Sequence, residues 1–252
     1  MNQIIFSDID GVARLKLAFV KGDGIYYVRL VSEVSSFSIN HLFDAAEEDI
    51  VNFKQFFRNR SLLDTKDHLF SSTNGCFKLR LNSDLYGHIN YCCFVQTKDS
   101  NNHAILSFVS DQTFFSELTH TIDVMQAKDM ALPFDDTEFY PPYLSVICSN
   151  DEANVFLRTT FATYSHTLQV IPELGENSKF LKEYEAFSNA ASSVCKFAPA
   201  CSLFSAILKK VEGKIYLVVD MADNCPSQNE AHLETEIENL KVRGTEKSRG
   251  PS

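Results

Sequence analysis

The 252-residue sequence predicts an α+β protein of two domains, each a mainly antiparallel sheet with helices packed on one side. Three observations support this class. Segments with alternating apolar and polar residues occur in pairs around turn residues, as in β-hairpins. Segments with helical apolar spacing follow these hairpins, without the strand–helix alternation of a parallel sheet. A stretch rich in proline and aspartate separates two such groups, at 129–142.

The first domain, 1–128, begins with a hairpin in which Leu15, Leu17 and Phe19 alternate with other residues before a glycine-containing turn. A helix follows, because Ile50, Phe53 and Phe57 share one helical face. The predicted elements are a hairpin at 13–31, a strand near 37–39, a helix at 45–60, strands at 77–82, 89–95 and 103–109, and a helix at 111–127.

The second α+β domain, 143–225, is of no recognised type, and no sequence repeat relates it to the first. Residues 226–252 form a polar tail, predicted to be disordered apart from a short amphipathic helix around 233–240. The predicted elements of the second domain are strands at 143–148, 154–163, 167–171 and 215–221, and helices at 178–190 and 202–211, the latter capped by Gly213.

Composition excludes several classes of function. The 33 Asp and Glu residues outnumber 23 Lys and Arg, for a net charge of -10, which argues against nucleic-acid binding. No segment has the roughly 18 consecutive apolar residues of a membrane span. The first eight residues lack the features of a signal peptide. Seven cysteines, an odd number, favour reduced thiols and a cytoplasmic location.

One short motif resembles a catalytic one. Ile4–Val12 reads as a hydrophobic strand followed by Asp8-Ile9-Asp10-Gly11, which resembles the first motif of the haloacid dehalogenase phosphatases. That resemblance implies Asp8 as nucleophile and Asp10 as general acid beside Mg²⁺. The alternative is a turn before the first hairpin, because Asp and Gly favour turns. Few apolar residues precede Asp8, and a hairpin rather than a helix follows, so the turn is favoured.

No other catalytic or cofactor motif is evident. The seven histidines and seven cysteines lack metal-ligand spacing, and the sequence contains no Walker loop, G-x-S-x-G or G-x-G-x-x-G. We therefore expect no cofactor and no metal. A Cys/His pair assembled by the fold remains open, since such pairs are adjacent in space rather than in sequence.

Acidic and aromatic clusters are the candidate partner-binding residues. Phe56 and Phe114 each adjoin a phenylalanine on a helical core face, and we expect them to pack at a domain boundary or to lie in a groove. Acidic side chains concentrate at the start of the first helix and in the linker, and would face a basic partner. These acidic candidates are Asp44, Glu47, Glu48, Asp135, Asp136 and Glu138.

The first 125 or so residues resemble the WapI-type immunity proteins of bacterial toxin–immunity systems. Hairpins lead into an acidic-start helix over 42–53. A later hairpin carries Gly87-His88 at the start of its return strand. The segment Asp111-Gln112-Thr113 leads a strand into a helix and is similar to the D-Q-T/S ending of that family. The likeness does not extend to residues 129–252.

The resemblance implies a non-enzymatic protein that binds and neutralises a toxin, with a basic toxin domain as its protein partner. The acidic charge agrees, since an acidic inhibitor complements a basic surface. Two alternatives stay open: the Mg²⁺-dependent phosphatase using Asp8 and Asp10, and an adaptor subunit of a bacterial defence or other multiprotein assembly.

Overall fold

A computed structural model describes residues 3–22, 25–34, 37–59, 65–98, 101–125, 128–129, 143–148, 153–158, 162–170, 173, 175–200, 204–222, 229–237 and 239–244. Within these ranges the chain forms three helices and seventeen strands in two mostly antiparallel sheets, so the α+β class is confirmed. Within the same ranges, no helix has the length and apolarity required to cross a bilayer.

The described residues of the first half form nine strands and two helices. The hairpin predicted at 13–31 and the helix predicted at 45–60 are both confirmed, and the helix is slightly shorter than predicted. The elements are β1 Ile4–Ser7, β2 Ala13–Gly22, β3 Ile25–Val34, β4 Phe37–Ala45, α1 Glu47–Arg58, β5 His68–Ser71, β6 Phe77–Ser83, β7 His88–Gln96, β8 His103–Asp111, α2 Gln112–Val124 and β9 Lys128–Asp129.

The second half contains eight strands and one helix among its described residues. The strand predicted at 143–148 and the helix predicted near 178–190 are confirmed. The elements are β10 Tyr143–Cys148, β11 Ala153–Arg158, β12 Ala162–Val170, α3 Glu176–Ser188, β13 Val194–Phe197, β14 Phe204–Val211, β15 Lys214–Ala222, β16 Glu230–Glu236 and β17 Asn239–Gly244.

Both sheets contain strands from both halves. Sheet A has the order β1-β2-β3-β4-β12-β11-β10-β17, with β9 also beside β2, and sheet B has the order β13-β14-β15-β16-β8-β7-β6-β5. The prediction of a separate sheet in each half is therefore wrong. The boundary at 129–142 does not divide the sheets, because β4 pairs with β12 and β8 pairs with β16 across it.

The buried residues of the two sheets form one continuous hydrophobic core. The ring centroids of Phe6 on β1 and Tyr91 on β7 are 5.4 Å apart, so the sheets meet directly. Phe53 of α1 contacts Phe19 of sheet A and Phe70 of sheet B. This helix therefore packs against both sheets, rather than covering one face of a single sheet as predicted.

The two halves are structural repeats offset by 127 positions. Leu17 pairs with Leu30 across β2 and β3. Leu144 pairs with Leu157 across β10 and β11, and each residue lies 127 positions after its counterpart. Repeat one comprises β2–β8 with α1, and repeat two comprises β10–β16 with α3. Their described strands follow one another in the same order, and each helix lies between the same two groups of strands.

The strand pairs that join the repeats place a two-fold axis between them. At the β4–β12 junction Phe37 pairs with Tyr164, its own counterpart. At the β8–β16 junction Ala104 likewise pairs with its counterpart Ala231. A symmetric antiparallel contact pairs a residue with its own equivalent only on the two-fold axis. The axis therefore passes through both sheets.

The aromatic core obeys the same symmetry. The ring centroids of Phe53 and Phe70 are 5.0 Å apart. Their counterparts Phe180 and Phe197 are 4.4 Å apart. Each of these four rings is almost fully buried. The aromatic residues at equivalent positions in the two repeats are Phe53, Phe57, Phe70 and Phe77 in the first, and Phe180, Tyr184, Phe197 and Phe204 in the second.

Each repeat also begins its helix with the same carboxylate contacts. In repeat one the buried Asp49 carboxylate accepts hydrogen bonds from the Ala46 and Thr73 amides, both at 2.8 Å. In repeat two the Glu176 carboxylate accepts bonds from the two amides 127 positions later. Ala46 is the N-cap of α1. Asp44 belongs to β4.

Three other sequence predictions require correction. The helix predicted at 202–211 is strand β14, in which buried Phe204, Ala206 and Leu208 alternate with less buried neighbours. Gly213, with φ +80°, lies in the β14–β15 turn and does not cap a helix. The tail, predicted to be disordered apart from a short helix around 233–240, instead contains strands β16 and β17, which belong to sheets B and A.

Of the predicted linker at 129–142, only Asp129 lies within the described residues. Lys128 and Asp129 form β9, which pairs in parallel with β2. Asp135, Asp136 and Glu138 lie outside the described residues.

Candidate functional site

The Asp8-Ile9-Asp10-Gly11 segment forms a tight turn between β1 and β2. The Asp8 carboxylate accepts hydrogen bonds from the Asp10 and Val12 amides at 3.0 and 2.9 Å. Its second oxygen accepts a hydrogen bond from Arg14 Nε at 2.5 Å. Gly11 has φ +77°, a conformation that glycine adopts at little cost. The turn is therefore held by a carboxylate whose two oxygens are both engaged.

This geometry does not fit the phosphatase interpretation. That chemistry requires Asp8 at the end of a buried parallel strand with an oxygen free to attack phosphorus. Here β1 pairs antiparallel with β2 at the edge of sheet A. Asp10 is exposed on the outside of the turn. The structure therefore favours the turn over the catalytic interpretation of Asp8 and Asp10.

The Asp8 contacts make stability depend on pH. Burial raises the pKa of Asp8, but hydrogen bonds from Val12, Arg14 and Asp10 outweigh it and hold the pKa below the ordinary 3.8. A depressed carboxyl pKa stabilises the fold above the unfolded pKa, and this contribution is lost as pH falls through the folded value.

We expect Asp8→Asn to lower the free energy of unfolding by about 1–3 kcal/mol at pH 7, because a charged hydrogen-bond acceptor is lost. The difference from the wild type should shrink as pH falls below 3.8. Urea denaturation at several pH values measures both effects. Asp10→Asn, on the exposed side of the turn, is the matched control and should change little. A difference for Asp8→Asn that is constant with pH would contradict this role.

The acidic start of α1 is exposed. Asp44, Glu47 and Glu48 all face solvent, whereas the adjacent Asp49 is buried. Among the described residues, none of the three exposed carboxylates forms an ion pair with Lys, Arg or His. These three predicted partner-binding residues therefore lie together on one solvated surface.

Exposed apolar side chains lie on the Asp8 turn and on nearby segments. The β6–β7 turn projects Leu85 and Tyr86, whose relative exposures are 91% and 85%. Ile9, Val12 and Val109 are also exposed. Isolated exposed apolar side chains are ordinary, but a contiguous group marks an interaction surface. We call Ile9, Val12, Leu85, Tyr86 and Val109 the turn patch.

Three contacts relate Ile9, Val109 and Tyr86 of the turn patch to one another. The Ile9 amide donates a hydrogen bond to the Val109 carbonyl at 2.9 Å. The Tyr86 ring lies 6.4 Å from the ring of His88. His88 pairs with Asp111 across β7 and β8, two residues beyond Val109. The patch therefore extends from the Asp8 turn across the end of sheet B.

A glycine allows the close approach that builds this surface. Gly87 has φ +87°, and a Cβ at this position would lie 2.9 Å from the Gln112 side chain. The Gln112 amide donates a hydrogen bond to the Gly87 carbonyl, which ties the β6–β7 turn to the start of α2. Phe114 of α2, predicted to lie at a boundary or in a groove, is half-buried against Gly11.

Carboxylates border the turn patch. Desolvation raises the pKa of Asp84, but hydrogen bonds from His88 and from the His88 and Tyr86 amides outweigh it and lower the pKa. The Thr113 amide and hydroxyl lower the pKa of Asp111. Both groups therefore stay ionised well below neutral pH. Together with exposed Asp10, they give the apolar surface an acidic border.

The two acidic surfaces lie at opposite ends of the helix pair. Phe57, near the end of α1, contacts Phe115, near the start of α2. Lys54 Nζ donates to the carbonyl of Met125, just beyond the end of α2. The two helices are thus antiparallel, and the start of α1 points away from Gln112 and the turn patch. The patch is not among the sequence predictions, although the apolar Leu85-Tyr86 pair inside a predicted turn was a usable signal.

One row of side chains of catalytic type does not have the geometry of a catalytic triad. Ser205, Asp220 and His232 lie in a row across β14, β15 and β16. His232 Nδ1 lies 2.6 Å from an Asp220 oxygen, and Ser205 Oγ donates to the other at 3.3 Å. Because Asp220 stands between them, the imidazole does not contact the hydroxyl as a general base would.

The described cysteines are free thiols, and most are buried. Burial raises the pKa of Cys93, and raises those of Cys148 and Cys195 to about 11, so these thiols are protonated at neutral pH. Within the described ranges, no three His, Cys, Asp or Glu side chains lie close enough together to hold a metal ion.

Comparison with known proteins yields no relative: no family model matches the chain, and neither curated proteins nor solved structures match it significantly.

Proposed function

We propose that this chain is a non-enzymatic protein-interaction module, most concretely a cytoplasmic immunity-type protein that binds and neutralises a bacterial toxin. The observation that carries the proposal is the turn patch, an exposed apolar surface with an acidic border. The resemblance of the first half to WapI-type immunity proteins supplies the identity of the partner.

The surface has the anatomy of a binding interface. Interfaces combine an apolar centre, often with tyrosine, with a polar border that excludes water from it. Leu85 and Tyr86 supply the centre, and Asp10, Asp84 and Asp111 supply the border. Holding these side chains out in water costs free energy that contact with a partner would recover.

The charge favours a basic partner. A net charge of -10 and the exposed Asp44, Glu47 and Glu48 would accelerate association with a positively charged protein. Since these three residues lie beyond the end of α2, they act by steering the partner rather than by contacting the same side chains as the turn patch. Reversing the charges of these three residues should lower the association rate and weaken its dependence on salt. The dissociation rate should change less.

The test is calorimetric titration of the purified chain with the toxin domain encoded beside its gene. The double substitution Leu85→Ser/Tyr86→Ser should weaken binding about 100-fold, the effect of losing two interface anchors. Leu69→Ser is the matched control, because Leu69 is 63% exposed on β5 outside the patch.

Equal binding by the double variant would contradict the proposed surface. Absence of binding by the wild type would contradict the immunity proposal. If the neighbouring genes encode no toxin and instead specify other assembly subunits, the adaptor alternative gains support.

A further inference from the structure

Two histidines from different repeats lie side by side on the outer face of sheet B. His103 of β8 pairs with His232 of β16, next to the pair of Ala104 and Ala231 on the two-fold axis. The two alanines face the core, so the histidines beside them face outward, where both are half-buried. The ring centroids of the two histidines are 5.5 Å apart. They are distant in sequence, so the junction of the repeats brings them together.

The symmetry between the repeats shows that the strand pairing does not require this pair of histidines. On the other side of the two-fold axis, the equivalent positions pair Glu230 with Ile105. Glu230 is the counterpart of His103, and Ile105 is the counterpart of His232, each offset by 127 positions. The same junction therefore forms with a glutamate and an isoleucine on one side and with two adjacent imidazoles on the other.

A hydrogen bond at Nδ1 orients each imidazole. His232 Nδ1 lies 2.6 Å from one Asp220 carboxylate oxygen, and Ser205 Oγ donates to the other at 3.3 Å. His103 Nδ1 lies 3.1 Å from the Asn101 carbonyl oxygen. Because carboxylate and carbonyl oxygens only accept hydrogen bonds, Nδ1 carries the proton in both rings and Nε2 of the neutral imidazole has a free lone pair. Among the described residues, neither Nε2 atom has a hydrogen-bond partner.

We propose that His103 and His232 together bind a late first-row divalent metal ion, such as Ni²⁺ or Zn²⁺, through their Nε2 atoms. Imidazole nitrogen is a preferred ligand of these ions. Histidines that bind metals usually donate their other ring N–H to a carboxylate or a backbone carbonyl, and these two have one of each. The row of Ser205, Asp220 and His232, which does not form a triad, thereby has a role in orienting a ligand.

The separation of the rings suits a shared ion. Two imidazoles that bind one ion at about 2.0–2.1 Å from each nitrogen have ring centroids roughly 4.5–6 Å apart, which includes the 5.5 Å of His103 and His232. Their planes are 21° from parallel, so both half-buried rings must turn about their Cβ–Cγ bonds to face the same ion. Water would fill the other coordination positions, since the described residues contain no group of three ligands.

A metal ion at this position would connect β8 of repeat one to β16 of repeat two. Because the two histidines are adjacent only in the folded chain, the ion would stabilise the folded state in proportion to its binding. The inference rests on the histidine pair alone and is independent of the turn patch and its partner.

The test titrates the ¹⁵N-labelled full chain with Ni²⁺ alone. Since Ni²⁺ is paramagnetic, the bound ion should broaden the amide signals of 102–105 and 231–233 before those of other segments, and the broadening should saturate. Mg²⁺ prefers oxygen ligands and should leave these signals unchanged.

His103→Gln and His232→Gln should each reduce the affinity for Ni²⁺ at least tenfold, because each leaves a single ligand. Asp220→Ala should reduce it about tenfold, the effect of removing a hydrogen bond that orients a ligand. His120→Gln, exposed on α2, is the matched control and should bind normally. His232→Ile introduces the repeat-one residue and serves if glutamine disturbs the strand pairing. Unchanged affinity in the folded His103 and His232 variants, broadening centred on other segments, or no saturable broadening in the wild type would overturn the proposal.

Discussion

Phe53→Ala and Phe180→Ala should each lower the free energy of unfolding by about 3–5 kcal/mol, because each removes a buried ring from the same position of a repeat. Each leaves a cavity beside a second ring, Phe70 or Phe197. Because both sheets run through both repeats, we expect a single cooperative transition in urea for each variant, with matching losses.

The matched control for these core substitutions is Val51→Ala, since Val51 is half-exposed on α1. It should change the free energy of unfolding by no more than about 0.5 kcal/mol. A loss below about 1 kcal/mol for Phe180→Ala alongside the full loss for Phe53→Ala would contradict the equivalence of the repeats.

Asp49→Ala should cost about 2–4 kcal/mol, because it removes a buried acceptor shared by the start of α1 and the β5–β6 turn. Besides the Ala46 and Thr73 amides, the carboxylate accepts a hydrogen bond from the Thr73 hydroxyl at 2.6 Å. Asp49 is only 1% exposed, so water cannot readily take the place of its carboxylate.

The counterpart substitution Glu176→Ala is the comparison for Asp49→Ala. Ala200, whose amide donates a hydrogen bond to the Glu176 carboxylate, is exposed. Solvent can therefore replace part of this hydrogen bond when Glu176 is removed. We therefore expect a loss of about 0.5–1.5 kcal/mol, measured by the same urea titration. Asp49→Asn keeps one acceptor oxygen, so its loss of stability should lie between those of Asp49→Ala and Glu176→Ala. Equal losses for Asp49→Ala and Glu176→Ala would contradict this dependence on burial.

Local patterns in the sequence predict some elements well and others poorly. Helix α1 is predictable because apolar residues at 50, 53 and 57 follow an acidic start, and both features are local. Strand β14 is not, because the run from Phe204 to Leu208 is compatible with either period. Its pairing with β15 decides the outcome, and that pairing is a tertiary contact.

The relation between the halves is equally hard to see in the sequence. What is retained across 127 positions is mainly the alternation of buried residues and a few aromatic rings, such as Phe53 and Phe180. Repeat one also has β1 and α2 beside it, whereas β17 occupies the edge next to β10 in repeat two. The register of paired strands makes the repeat evident, and the sequence does not contain that register explicitly.

The candidate site, too, could be predicted from the sequence only in part. The sequence predicts the Asp8 turn through its Asp and Gly residues, but the Arg14 contact that engages the carboxylate arises from the following strand. The acidic surface at Asp44, Glu47 and Glu48 was predictable because a helix start exposes its first turn. The turn patch was predictable only through the apolar Leu85-Tyr86 pair in its predicted turn, since the rest of the patch comes from segments distant in sequence.

Hydrogen–deuterium exchange of the chain, free and bound to the toxin domain encoded beside its gene, tests most directly where the partner binds. We predict slowed exchange at 8–12, 84–88 and 109–114, the backbone segments of and beside the turn patch, with smaller changes at 44–48. Slowed exchange confined to 44–48, or to segments away from the patch, would contradict the turn patch as the binding surface.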